Sequence, residues 1–170
     1  AFTYRASSGG RTLCLAMLRH LCCRRTRITS IAGDSEYSVA HERMRGALKA
    51  LHDAGLQLVG EARFGSWEAE WGRAAARLLL NDGAAFDAVI CQNDVLARGC
   101  IEELERSGCR VPQDVAVIGH DNSPDYVSYA HPLLTSIDDN NEMLGRQAAL
   151  CLLDAIAGHP HHGVERVPVK

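Results

Sequence analysis

Hydrophobic positions in the first half of the chain alternate between helical and extended spacing. In chain order the pattern predicts a helix, a strand, a helix, a strand and a helix, at residues 10–22, 28–32, 39–54, 56–59 and 67–80. Ser38 is placed to cap the middle helix, and Gly55 to end it in the left-handed conformation. The inner face of that helix is predicted to consist of Met44, Ala47, Leu48 and Leu51.

The second half repeats this alternation with more strongly apolar strands. The pattern predicts strands at residues 87–91, 115–119, 134–137 and 164–169, and helices at residues 95–107 and 140–157. Asp94 is placed to cap the first of these helices and Gly108 to end it, which directs Ala97, Ile101 and Leu104 inward. The intervening residues 120–132 are rich in Asp, Asn, Ser and Pro, so we predict a loop.

This order of elements predicts an α/β fold built on a parallel sheet. Residues 115–119 are apolar at successive positions, which is typical of a parallel strand that is buried on both faces. Strands that alternate with helices through short connections form such sheets by right-handed crossovers. Ligands bind outside the carboxyl ends of these strands. The segments to examine for a site are therefore 33–38, 92–94 and 119–123.

Composition and charge narrow the function. The 170 residues are 46% hydrophobic and 23% charged, which is typical of one globular domain or slightly more. No run of eighteen apolar residues is present, so the sequence predicts no membrane-spanning helix. The net charge of −3 has the wrong sign for a surface whose main role is to bind phosphates.

The cysteines indicate a reducing compartment. There are seven, an odd number, and none forms a C-x-x-C pair: Cys14, Cys22, Cys23, Cys91, Cys100, Cys109 and Cys151. Disulfide frameworks and zinc sites need paired spacings, so we interpret these residues as free, mostly buried thiols of a cytoplasmic protein. The sequence likewise contains no phosphate loop, dinucleotide fingerprint or nucleophile elbow, and we expect no cofactor and no metal.

A long ordered signature runs through the second half. Its segments are DAVICQNDVLARG at 87–99, GCRVPQDVAVIGHD at 108–121, LTSI at 134–137 and GRQAA at 145–149. The chain thereby resembles the lactose-repressor/galactose-repressor (LacI/GalR) family of transcription regulators over essentially its whole length. It departs from the family pattern at residues 22–26, which are one residue shorter, at His120, where the family has phenylalanine, and at Arg5.

The resemblance implies a three-layer sandwich of the type I periplasmic-binding-protein-like kind. Residues 1–137 would form the C-terminal lobe of an effector-binding core, and residues 138–170 a helix and strand that return partly to the N-terminal lobe. The DNA-binding headpiece would be absent from these residues. The implied function is to sense a sugar or sugar acid for a repressor that binds operator DNA as a homodimer. The alternative is a periplasmic sugar-binding protein of a transporter, which shares the fold.

The resemblance also assigns charged residues to the effector site. It places Arg43 there, whose guanidinium binds hydroxyls or a carboxylate in pairs; the alternative is a solvated helix charge. Asp121 follows a predicted strand and would accept hydroxyl hydrogens, unless it only forms the turn. Asp139 lies where the chain would cross between lobes, and its assignment is balanced between the two interpretations.

Two uncharged side chains complete the predicted site. Trp67 would stack on a ring of the effector, or would instead be an aromatic residue of the core or its rim. Asn93 is the family's amide contact to ligand hydroxyls, while its neighbour Asp94 is at least as well explained as a helix cap.

Other functions are weaker interpretations of the same sequence. His120, Asp121 and Ser123 are too close in one loop to act as nucleophile, base and orienting group, so we predict no enzyme. The histidines of residues 159–162 are typical of a polar turn. Tyr126, Val127 and Tyr129 form an apolar stretch in a polar loop and are candidates for a dimer interface.

Overall fold

A computed structural model of the chain describes residues 5–6, 25–83, 85–128, 131–160, 163 and 166–167. The predicted helix at 10–22 lies outside these residues. The strands are β1 (Arg5–Ala6), β2 (Ile28–Ala32), β3 (Arg63–Phe64), β4 (Ala88–Cys91), β5 (Ala116–His120), β6 (Thr135–Ile137) and β7 (Arg166–Val167). The helices are α1 (Ser38–Asp53), α2 (Ala69–Asn81), α3 (Asp94–Arg106), α4 (Pro124–Val127) and α5 (Asn141–Ile156).

Five of the strands form one parallel sheet in the order β3-β2-β4-β5-β6. The strands β2, β4 and β5 start level with one another, since Ile28 pairs with Ala88 and Ala88 with Ala116. Because all five strands run parallel, their carboxyl ends lie at the same edge of the sheet. β1 and β7 form a separate parallel pair. The predicted α/β fold with a parallel sheet is confirmed.

Both faces of this sheet are covered. One face packs Ile31, Val89 and Val117 against apolar residues of α2 and α3 such as Leu79 and Leu104. The strand residues of the opposite face pack on α1, at Ala47, Ala50 and Leu51: Ile28, Ala88, Ile90, Ala116, Ile118 and Ile137. Every residue of β2, β4 and β5 is buried, as strands between two helical layers require. The three-layer sandwich is confirmed.

Helices α2 and α3 approach closely enough to exclude side chains at two glycines. A Cβ atom on Gly99 would lie 2.0 Å from the carbonyl oxygen of Ala69, and one on Gly72 would lie 2.3 Å from that of Leu96. Both obstacles are backbone atoms, which cannot rotate away. The contact therefore needs glycine at both positions.

Helix α5 is packed differently. It contains no buried residue, although all sixteen of its residues are described. Leu152, Leu153 and Ile156 are 62%, 61% and 75% exposed. None of its residues belongs to the two core clusters of the described part of the chain.

Several local predictions about helix ends are wrong. Helix α1 begins at Ser38 itself, after Tyr37, so Ser38 is not the cap. Asn93, not Asp94, caps α3 by accepting a hydrogen bond from the backbone N–H of Leu96. Leu48 was predicted to face inward and is 45% exposed. The ends at Gly55 and Gly108 are confirmed, because both have positive φ, 71° and 86°.

Two segments also differ from their predicted structure. Residues 56–59 make one isolated bridge, from Leu58 to Ile28, and the adjacent strand is β3 instead. The predicted loop 120–132 contains the short helix α4. Among the described cysteines, Cys91, Cys100 and Cys109 carry free thiols, and the first two of these are buried.

Candidate functional site

Polar side chains converge at the carboxyl edge of the sheet. Asp121 follows β5 directly and Asp139 comes two residues after β6. Arg43 reaches this edge from the second turn of α1. Parallel strands bring these residues together although they are 78 and 96 positions apart in sequence.

Arg43 lies between two carboxylates. Its Nη2 donates to Oδ1 of Asp121 at 2.9 Å and to Oδ2 of Asp139 at 3.1 Å, and Nη1 donates to the backbone carbonyl of Gln92. The Arg43 side chain is 13% exposed and that of Asp121 is 42% exposed. The interpretation of Arg43 as a solvated helix charge is therefore wrong, because its guanidinium is held inside a network.

Asp139 has a second partner on the other side. Nε2 of His120 lies 2.6 Å from its Oδ1. Burial raises the pKa of the Asp139 carboxyl, but the hydrogen bond from His120 and the charge of Arg43 together outweigh it, and the pKa lies below its ordinary value. Asp139 is thus held ionised with one oxygen toward each neighbour.

Asp121 adopts an uncommon backbone conformation. Its φ is 100° and that of Asn122 is 51°, in a region that residues other than glycine seldom adopt. The backbone N–H of Asp121 donates to the carbonyl of Ile137 at 2.9 Å, and that of Asn122 to Oγ of Ser136 at 3.0 Å. These bonds hold the turn, and the conformation turns the chain at the end of β5. Strained residues of this kind concentrate at functional sites.

Trp67 lies at the same edge, packed over Gly33. A Cβ atom on Gly33 would meet the indole at 2.3 Å, so the ring takes the space that glycine leaves. Tyr37 makes an edge contact with the indole, with ring centroids 6.5 Å apart. Trp67 also packs against the core beside α2 and α3. It is a partly buried rim aromatic, and its stacking on an effector remains a prediction.

Asn93 is buried, and both the oxygen and the nitrogen of its side-chain amide have hydrogen-bond partners. Oδ1 accepts from the backbone N–H of Leu96 at 2.7 Å, and Nδ2 lies 3.4 Å from the carbonyl of Trp67. The side chain therefore acts as the cap of α3 in this structure. Contact of Asn93 with ligand hydroxyls stays a prediction.

Two residues that were not assigned to the site hold it together. Oε1 of Gln92 accepts a hydrogen bond from the backbone N–H of Gly33 at 3.1 Å, and its Nε2 donates to the carbonyl of Ala40 at 2.8 Å. It thereby joins the end of β2 to the start of α1. Asp94 accepts from the hydroxyl of Ser136 at 2.5 Å and from the N–H of Ser123 at 2.8 Å.

One feature of the sequence indicates these roles. Both residues lie within three positions of the end of the buried strand β4, where a polar side chain is unexpected unless it is hydrogen-bonded. Burial raises the pKa of the Asp94 carboxyl, while its bonds to Ser136 and Ser123 oppose that change. Asp94 therefore joins the loop that carries Asp121 to β6, the strand that leads to Asp139.

Among the described residues, one group of possible metal ligands is close enough to share an ion: His120, Asp121 and Asp139. Arg43 already donates to both carboxylates. Its guanidinium supplies the positive charge that an ion would bring, so we assign no metal here. The arrangement suits hydroxyl groups, which can donate to the carboxylates and accept from the guanidinium.

Residues 16–170 match the family of periplasmic binding protein-like domains. The chain belongs to this family. It is 35% identical over 142 residues to the HTH-type transcriptional regulator CelR of Thermobifida fusca, an alignment that covers 83% of this chain and 42% of CelR. The predicted resemblance to LacI/GalR regulators is confirmed.

Solved structures agree with this relationship. The Lac repressor bound to ONPG in the repressed state superposes with a TM-score of 0.89 at 28% identity, covering 98% of this chain and 50% of that chain. A transcriptional regulator CelR–cellobiose complex superposes with a TM-score of 0.86 at 29% identity, covering 100% and 52%. The chain thus spans about half or less of these proteins. Within the described residues, no helix has the length and apolar character needed to cross a bilayer.

Proposed function

We propose that the chain senses a small effector for a DNA-binding transcriptional repressor. Residues 1–137 then form the C-terminal lobe of its effector-binding core, and 138–170 return partly to the N-terminal lobe. The exposed apolar side of α5 supports this division. A helix whose apolar side packs on a second lobe would have that side exposed in a chain that does not include the lobe. The DNA-binding headpiece would lie outside these residues.

The effector in this proposal is a polyhydroxylated molecule, a sugar or sugar acid. The observation that carries it is Arg43 held between Asp121 and Asp139 at the carboxyl edge of the sheet. The hydroxyls of such a ring would form hydrogen bonds with Arg43, Asp121 and Asp139 in place of those that these residues make with one another. Trp67 and Asn93 would complete the site. The CelR complex with cellobiose supports a sugar as the class.

Removal of the Asp121 carboxylate tests the effector site. In the full-length regulator, Asp121→Ala should weaken effector binding by about 1–3 kcal/mol, because ligand hydroxyls lose their acceptor. Calorimetric titration with a panel of neutral sugars and sugar acids measures this. Asp125→Ala, a change of the same charge on the exposed helix α4, serves as the matched control. Equal affinities for the wild type and Asp121→Ala would remove Asp121 from the site.

A periplasmic sugar-binding protein of a transporter is the second candidate. It shares the fold, but the matched relative CelR is an HTH-type transcriptional regulator, which favours regulation. If the chain belongs to a transcriptional regulator, as we propose, the protein is cytoplasmic, binds no membrane and needs no cofactor. It also has no catalytic role, which agrees with Nε2 of His120 being bonded to Asp139 instead of to Ser123.

We further propose that the intact regulator is a symmetric homodimer, because two headpieces read two half-sites. Tyr126 and Val127 lie on α4 and are partly buried; Tyr129 lies outside the described residues. Nε of Arg98 donates to the carbonyl of Tyr126 at 2.7 Å, which holds this segment against α3. Sedimentation of the full-length protein as a monomer at micromolar concentration would contradict the dimer.

A further inference from the structure

His120 is the last residue of β5 and lies directly behind the charged network. Its side chain is 1% exposed, and its Nε2 is 2.6 Å from Oδ1 of Asp139. The other oxygen of that carboxylate, Oδ2, accepts from Arg43 at 3.1 Å. His120 is therefore one step removed from the residues that face the effector in the proposed function.

We propose that His120 is a positioning residue of the effector site: its Nε2–H fixes the carboxylate of Asp139 so that two carboxylates share the single guanidinium of Arg43. Because two carboxylates already accept from Nη2 of this guanidinium, the site selects uncharged polyhydroxylated molecules over sugar acids. This second part rests on the proposed function, whereas the positioning role does not.

The donor atom of the ring follows from its partner. An ionised carboxylate only accepts hydrogen bonds, so His120 donates to Oδ1 of Asp139 from Nε2–H. Nδ1 is buried and meets no hydrogen-bond partner among the residues that the structure describes. The Nε2–H donor of the ring is therefore directed at Asp139.

The hydrogen bond matters because the terminal torsion of an aspartate is soft. The χ2 torsion of an aspartate side chain has a broad distribution without narrow rotamers. Asp139 therefore needs a hydrogen-bond partner on Oδ1 to keep its Oδ2 on Arg43. The described contacts place His120 in that role. Without it, the Asp139 carboxylate is free to turn, and Arg43 keeps only Asp121 and the carbonyl of Gln92 as firm partners.

The charge of the network decides the class of effector. Arg43 already has a carboxylate at 2.9 Å and another at 3.1 Å, so a ligand carboxylate would have to compete with both for the guanidinium. A hydroxyl can donate to Asp121 or Asp139 without any charge being brought in. A ligand carboxylate would meet two like charges in a partly buried setting, where repulsion is weakly screened.

The positioning role is tested without a ligand by the ionisation of Asp139. We would label aspartate with ¹³C at Cγ in the full-length protein and titrate by NMR, with Asp139→Asn identifying the resonance. His120→Phe keeps a ring but removes the donor, and should shift the titration midpoint of Asp139 upward. His120→Gln places an amide nitrogen near Nε2 and should restore the low midpoint, whereas the shorter His120→Asn should not.

The same NMR titration of Asp139 provides the control and the result that would overturn the proposal. Ile118→Val trims a buried side chain on the same strand and should leave the Asp139 titration unchanged. If His120 merely fills space, the Phe and Asn variants will titrate like the wild type, and the proposal is overturned. The Gln and Asn pair decides the matter should the Phe variant not fold.

Effector selection is measured by calorimetry on glucose, galactose and cellobiose, each paired with its uronic or aldonic acid. We expect at least one neutral sugar to bind tenfold or more tightly than its acid, and this ratio to fall in His120→Phe and recover in His120→Gln. An acid that binds more tightly than its neutral partner would overturn the selection. If no sugar or acid binds, the proposed sugar class is wrong, while the Asp139 titration still decides the role of His120.

Discussion

The sheet region and helix α5 are made of similarly apolar sequence but are packed in opposite ways. Between β2 and β6, α2 and α3 cover one face and α1 the other, and Leu104 is completely buried. On α5, Leu152 and Ile156 are mostly exposed. The difference teaches that apolar content does not tell whether a segment finds its partner within the same chain. The sheet region buries its apolar side chains among the described residues, whereas α5 leaves its leucines and Ile156 largely exposed.

The largest expected contrast is between two leucines. Leu104→Ala leaves a cavity in the core and should lower the free energy of unfolding by about 2–5 kcal/mol. Leu152→Ala, on the exposed side of α5, should change it by less than about 0.5 kcal/mol. Urea denaturation of the 170-residue chain measures both. In the full-length protein the cost of Leu152→Ala should rise; an unchanged small cost there would mean that no second lobe covers α5.

Two glycine-to-alanine changes should have opposite signs. Gly99→Ala drives a methyl group into the backbone of Ala69 and should destabilise by about 1–3 kcal/mol. Gly145→Ala, in α5, meets no heavy atom within 4 Å and should stabilise by about 0.5–1 kcal/mol through helix propensity. Thermal or chemical denaturation compares them. Equal effects at both glycines would show that α2 and α3 are not in close contact.

The 170-residue chain alone should bind neither operator-length DNA nor candidate sugars with useful affinity. Its net charge of −3 releases few counterions on DNA. A small ligand is normally buried to roughly 70–90%, and the proposed second lobe would supply much of that surface. Fluorescence titration of the chain and of the full-length regulator checks this. Sub-micromolar effector binding by the chain alone would contradict the proposed division into lobes.

The smallest expected effect is on how the free energy of unfolding of the sheet region depends on pH. Glu103 on α3 is buried, and hydrogen bonds from Arg106 and Arg77 lower its pKa from 4.5 to about 2. Its stabilising contribution is therefore complete above pH 4.5 and is lost as the pH falls toward 2. Glu103→Gln should cost more stability at pH 6 than at pH 3, as measured by urea denaturation. A cost independent of pH would show that the ion pairs contribute nothing.

The sequence by itself predicted β2, β4, β5 and β6, the three longer helices between β2 and β6, the parallel α/β class and the edge of the sheet where polar groups gather, but it missed β3 and α4. These features depend on local periodicity, which each segment carries in its own residues. The grouping of Arg43, Asp121 and Asp139 followed from resemblance to a family, and the structure brings these three together.

Tertiary structure alone decided which of several equivalent side chains took each role. Asn93 and Asp94 are equally good caps, and Asn93 caps α3 because Asp94 binds Ser123 and Ser136, which lie 29 and 42 positions away. Leu48 faces outward because the rotation of α1 about its axis is set by the sheet on which it packs. His120 meets Asp139 because β5 and β6 end side by side. Such contacts join distant segments, and no local pattern encodes them.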